Sequence, residues 1–191
     1  MSKNRFLGII IIVISISLTI SSAYGYDDNF GQAQVIKGKH FTVYYAPRVD
    51  IFSLVQELNI GPAEKILAGK STESNSSPET ELTDMLDTLF LRVGEILDMR
   101  LFSFKGTIKI CRDSQHLNSI YRDLFGRDLT SPSLYIYTFN TIYTSPEGFK
   151  RQILGHEIAH AVISNYFVVQ PPEKVAEVLA GYVEYQLRKA R

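Results

Sequence analysis

His156-Glu157-Ile158-Ala159-His160 is the stretch on which the reading of this chain turns. It is an H-E-x-x-H motif, and its chemistry requires a helix. Residues four apart on a helix differ by about 40° and lie about 6 Å apart along the axis. The imidazoles of His156 and His160 can therefore converge on one ion. Glu157 is rotated by about 100° from His156, so its carboxylate stands beside the ion, in reach of a bound water, rather than on it. Two neutral imidazoles hold zinc and leave positions open. Zinc lowers the pKa of its water towards ~7, and Glu157 takes the proton and passes it to the leaving amine. The residues before the motif predict its helix. Ser145 serves as N-cap, Pro146 as the first helical position and Glu147 as a first-turn acid. Phe149, Ile153 and Leu154 keep apolar spacing, and Asn165 is the expected stop.

A catalytic zinc site needs a third protein ligand. A third histidine of the metzincin type is absent, because Ile163 and Tyr166 occupy the places of its Gly and His. His40 and His116 lie far upstream and read as structural or surface groups. A carboxylate is the expected choice. A second helix is predicted from Pro171-Pro172-Glu173 onward, and its acids Glu173, Glu177 and Glu184 share roughly one face.

An H-E-x-x-H helix followed by Glu177-Val178-Leu179-Ala180-Gly181-Tyr182-Val183-Glu184 resembles the gluzincins, the thermolysin-like zinc metallopeptidases often called peptidase MA. Their second helix commonly reads E-G-L-A-x-Y-x-E. The resemblance covers residues 134–191. It implies a zincin-like fold and makes Glu177 the third zinc ligand, with sixteen residues between it and His160. It also implies that Gly155 permits close packing of the active-site helix and that the strands at Leu134–Thr144 form the edge on which a peptide substrate pairs. The chain departs from the family in places. Val178 replaces the usual glycine. Gly181 stands where many relatives carry an acid that orients a ligand histidine, a role open to Glu184 or to a backbone carbonyl. Many relatives stabilise the oxyanion with a group from a C-terminal lobe; here Tyr166, Tyr182 or Tyr185 are the candidates, with Tyr182 also readable as helix packing.

The rest of the sequence is consistent with one exported domain. Of 191 residues, 45% are apolar and 21% charged, which is ordinary globular composition. Lys and Arg (20) balance Asp and Glu (20), which argues against a nucleic-acid partner. Cys111 is the only cysteine, so an intrachain disulfide and a cysteine-based zinc site are excluded, and at the end of an apolar run it reads as a buried, inert thiol. Residues 1–25 read as a secretory signal peptide. Lys3 and Arg5 precede an uncharged apolar run over Phe6–Ile20, and Ala23-x-Gly25 offers a small-x-small cleavage site. The alternative is an uncleaved anchor, the one way in which the chain would meet a membrane. Localisation is thus periplasmic or extracellular.

In the mature chain, Tyr26–Gln34 reads as a loose lead-in and His40–Tyr45 as a strand. A helix capped by Asp50 runs over Ile51–Leu58, with a further turn over Ala63–Leu67. Residues 69–80 carry no apolar side chain and read as a flexible loop. Ser77 and Pro78 then start a helix reaching about Met99. Gly106–Cys111, Leu134–Thr138 and Thr141–Thr144 read as strands, and Asp113 and Gly126 bracket a helix over Ser114–Phe125. Tyr135, Tyr137 and Tyr143 read as sheet packing. Arg188, Lys189 and Arg191 complement the dipole of the last helix. The expected class is α+β.

The expected function is zinc-dependent peptide-bond hydrolysis, with a peptide or protein substrate. The alternatives are a zinc-binding envelope module without catalysis, an interaction protein with an incidental H-E-x-x-H, and a hydrolase of non-peptide amides.

Overall fold

The computed structural model describes residues 28–69 and 76–189. The predicted signal peptide, the central part of the 69–80 loop and Arg191 lie outside the described residues. Five strands and six α-helices are found among them: β1 (Gln34–Lys37), β2 (Phe41–Tyr45), α1 (Ile51–Leu58), α2 (Pro62–Leu67), α3 (Pro78–Leu97), β3 (Gly106–Ile110), α4 (Ser114–Phe125), β4 (Ser133–Ile136), β5 (Thr141–Thr144), α5 (Arg151–Tyr166) and α6 (Glu173–Lys189). The class is α+β. The strands form one mixed sheet in the order β1-β2-β3-β5-β4. β2, β3 and β5 run parallel, and the outer strands β1 and β4 pair antiparallel to their neighbours.

The sheet separates two apolar clusters because side chains alternate along each strand. Phe41, Val43, Ile108, Ile110 and Ile142 pack with α1, α3, α5 and α6. Tyr143, one residue on from Ile142, faces the other way and packs with Leu117 and Ile120 of α4. Cys111 is buried in that second cluster, and burial there pushes its thiol up to about 12, so it stays protonated. Near it, Lys109 and Tyr143 both donate to the buried Asp28 carboxylate.

Capping chemistry placed three helices where expected. Asp50 accepts from Phe52 and Ser53 N–H, Ser77 from Thr80 N–H and Asp113 from His116 N–H. Gly126, at φ 69°, closes α4. Four expectations are corrected. A strand over Gln34–Lys37 begins at the last residue of the expected lead-in and has no counterpart in the sequence reading: it is mostly exposed and held by backbone pairing with β2, so it leaves no apolar alternation to read. Residues 62–67 form a helix that begins at Pro62. The strand from Leu134 stops at Ile136; Tyr137–Phe139 makes a 3-10 turn into a left-handed Asn140. The helix that carries the H-E-x-x-H motif begins at Arg151, not at Pro146, because Pro146–Gly148 forms its own 3-10 turn. Ser145 does not cap it; its hydroxyl bonds the Pro132 carbonyl at 3.2 Å.

Two glycines set the position of α5. A Cβ on Gly148 would lie 2.2 Å from the Pro132 carbonyl oxygen, so the turn into α5 presses on the loop before β4 as only glycine allows. A Cβ on Gly155 would lie 2.1 Å from Leu187 Cδ1, so α6 packs directly against the α5 backbone at this point. On the far side of the core, His40 and Lys39 donate backbone N–H bonds to the buried Asp87 of α3 at 2.9 and 3.1 Å, and the His40 ring stacks on Phe90 with 4.5 Å between centroids.

Gly148→Ala forces a backbone shift at the entry to α5. The expected cost is about 1–3 kcal/mol, read as a lowered urea midpoint. His40 supplies a pH test. Burial lowers its imidazole pKa, and the Asp87 charge opposes this only in part. The folded chain thus keeps His40 neutral, whereas the unfolded chain takes up a proton near ~6.5. Stability is present above that value and is lost as pH falls from it toward the lowered folded value. His40→Phe keeps the stack and removes the titration, so its urea midpoint is expected to fall less between about pH 7 and pH 5 than that of the wild type.

Candidate metal centre

α5 carries the motif through the middle of the fold. Leu154, Gly155, Ile158, Ala159, Ala161, Val162 and Ile163 are all buried, so apolar packing surrounds most of the helix and its placement is fixed. His156 and His160 emerge on the side facing α6 and are partly buried. Their Nε2 atoms are 3.1 Å apart. α6 supplies the third group: Glu177 Oε1 lies 3.3 Å from His160 Nε2, and Oε2 lies 3.6 Å from His156 Nε2. His156, His160 and Glu177 are the set of His, Cys, Asp and Glu side chains able to share an ion among the described residues.

These separations fit zinc. Bonds of about 2.0–2.1 Å in tetrahedral geometry place ligand atoms about 3.3–3.4 Å apart. The observed 3.1, 3.3 and 3.6 Å bracket that value. The donor set of two imidazoles and one carboxylate is also a zinc set. Burial, and then the neighbouring His156, lower the His160 pKa, while Glu177 raises it. The net direction favours the neutral imidazole that a metal requires.

Glu157 is buried beside this cluster, 7% exposed. Burial pushes its carboxyl up to about 8; the Tyr135 backbone N–H opposes the shift, and the charges of Glu177 and Glu184 add to it. A cation held by the histidines acts in the opposite direction. The Tyr135 contact ties Glu157 to β4, which is the edge strand of the sheet on this side. Tyr135 was read from sequence only as sheet packing. Its backbone donor is a feature of strand register, and the alternation of tyrosines gives no sign of it.

The second carboxylate of α6 within reach is Glu184, whose Oε2 is 3.5 Å from His156 Nδ1. Seven residues bring a helix back to within about 20° of the same direction, so Glu177 and Glu184 both face α5. Among the described residues no other carboxylate lies within ion-pair distance of His156 or His160. Glu173 sits exposed at the start of α6. Tyr166 and Tyr182 are not brought to the cluster. Tyr166 is turned about 120° from His160, and Tyr182 about 140° from Glu177, by helical geometry; both are about half exposed, and Tyr166 packs edge-on against Phe167. Tyr185 is exposed as well. A cavity of about 410 Å³ lies elsewhere, between α2, the C-terminal half of α3 and the loop after it, and includes none of the cluster residues.

Compared with protein-family models, with curated proteins and with solved structures, the chain matches none.

About one zinc per chain is expected in the purified protein by elemental analysis. Glu177→Ala is expected to remove it, and zinc retained in that variant would exclude Glu177 as a ligand.

Proposed function

We propose that this chain is an exported zinc-dependent peptidase of the gluzincin, or peptidase MA, type, with a zincin-like arrangement of sheet, motif helix and glutamate helix. The observation that carries the reading is the convergence of His156, His160 and Glu177 at zinc-ligand spacing next to a buried carboxyl that is not itself a ligand. Residues 1–25 act as the signal peptide, and the product is periplasmic or extracellular.

Bound zinc supplies a Lewis acid that polarises the scissile carbonyl and brings a water towards a pKa of ~7. Glu157 is the proton carrier. It takes a proton from the attacking water as the C–O bond forms, then delivers it to the departing amine as the C–N bond breaks. The apolar surroundings of α5 keep Glu157 out of bulk water, which matches its proton affinity to this exchange. Strand β4 is an edge strand of the sheet; its Tyr135 N–H serves Glu157, and an extended peptide would pair with the remaining backbone groups of that edge. The oxyanion stabiliser is not assigned, because Tyr166 and Tyr182 turn away from the cluster. That same observation favours a second reading: a zinc-binding module of the cell envelope without turnover.

The two readings separate on one pair of proteins. The zinc-loaded wild type is expected to cleave an unstructured protein substrate such as casein. Glu157→Gln is expected to keep its zinc and lose roughly 10²–10⁴-fold in rate. A zinc-loaded wild type that cleaves no member of a broad peptide library would leave the binding module as the function.

A further inference from the structure

The His156 ring lies between two glutamates of α6, one at each nitrogen. Nε2 faces Glu177 at 3.6 Å, and Nδ1 faces Glu184 at 3.5 Å. Nδ1 is buried and has no hydrogen-bond partner among the described residues. A neutral imidazole that offers Nε2 to a metal carries its proton on Nδ1. A buried N–H without an acceptor is destabilising, and the carboxylate within ion-pair distance of this one is Glu184. A shift of about 0.6–0.8 Å from the observed 3.5 Å brings the pair to charge-assisted hydrogen-bond length, about 2.7–2.9 Å.

Glu184 is itself held. Its Oε1 accepts from Arg188 Nη2 one turn further along α6, which leaves Oε2 for the imidazole. Glu184 is two-thirds buried on its side chain while Arg188 is mostly exposed, so the arginine contributes aim more than energy. Gly181 has no side chain to offer. The spacing of α6 places an acid three residues later instead.

We infer that Glu184, pinned by Arg188, is a positioning residue that accepts the Nδ1 proton of His156 and fixes the tautomer and ring angle in which Nε2 meets the metal. This rests on the zinc reading given above. It also gives Arg188 a role beyond complementing the helix dipole.

The test is zinc affinity of the full chain by competition with a chromophoric chelator, together with the visible spectrum of the cobalt-loaded protein. Glu184→Ala is expected to weaken zinc binding roughly ten- to hundredfold and to alter the cobalt bands. Glu184→Gln keeps an acceptor oxygen of the same shape and is expected to lose less. Arg188→Ala is expected to lose less than Glu184→Ala. The melting temperature of the metal-free protein is expected to be the same in all four. An unchanged affinity in Glu184→Ala overturns the inference while leaving the metal centre intact. A folded Glu184→Gln that no longer holds stoichiometric zinc also overturns it, because Glu184 would then be a ligand. A wild type that takes up no zinc sinks the metal reading and this inference with it.

Discussion

The close approach of α6 to α5 is the constraint on which the site depends. Gly155 has no side chain, and Leu187 fills the space where one would stand. Leu187, Val183 and Ala180 are all buried against the core, so the apolar face of α6 fixes its rotation. With that rotation set, Glu177 and Glu184 turn toward α5 and meet the two histidines. A larger residue at 155 would displace the Leu187 side chain that seats α6 on α5. A carboxylate displaced by an ångström or two no longer shares an ion with His156 and His160, since the separations already sit at the values a small tetrahedral cation requires.

The electrostatic character of the site follows from the same packing. Glu157, Glu177 and Glu184 gather around two imidazoles on a helix surrounded by apolar side chains. Taking a carboxylate out of water is costly without a partner. Glu157 responds by holding its proton more tightly, and the N–H of Tyr135 gives back only part of what burial removes. The cluster is therefore acid-rich, an environment that a divalent cation relieves. The opposite face of the sheet shows the contrasting solution. There the buried carboxylate of Asp28 is satisfied by Lys109 and Tyr143, and its carboxyl is held below the usual range despite burial. One buried acid has its partners within the chain; the other has few.

How much was legible depended on whether the information was local. The helices α1, α3 and α4 could be bounded from Asp50, Ser77, Asp113 and Gly126, because a cap acts on its own first or last turn. β1 could not be seen. An exposed edge strand is held by backbone bonds and needs no apolar pattern. The start of α5 was misread for a related reason. Ser145 and Pro146 form a good helix-start signal, but the Pro132 carbonyl claims the serine hydroxyl and crowds Gly148, so the chain makes a separate turn first.

The sequence by itself determined that His156 and His160 fall on one side of a helix with Glu157 beside them, because that relation is a property of 3.6 residues per turn. It also narrowed the third group to the acids of α6. The family resemblance of that helix pointed to Glu177, and the tertiary structure brings Glu177 and Glu184, but not Glu173, near the histidines; the three acids have the same chemistry and differ in where the packing of α6 carries them. Tertiary structure likewise brought the Tyr135 N–H to Glu157. Spacing along one helix is fixed by its own hydrogen bonds. Distance between two elements is fixed by the side chains that fill the space between them, and no single segment contains that information.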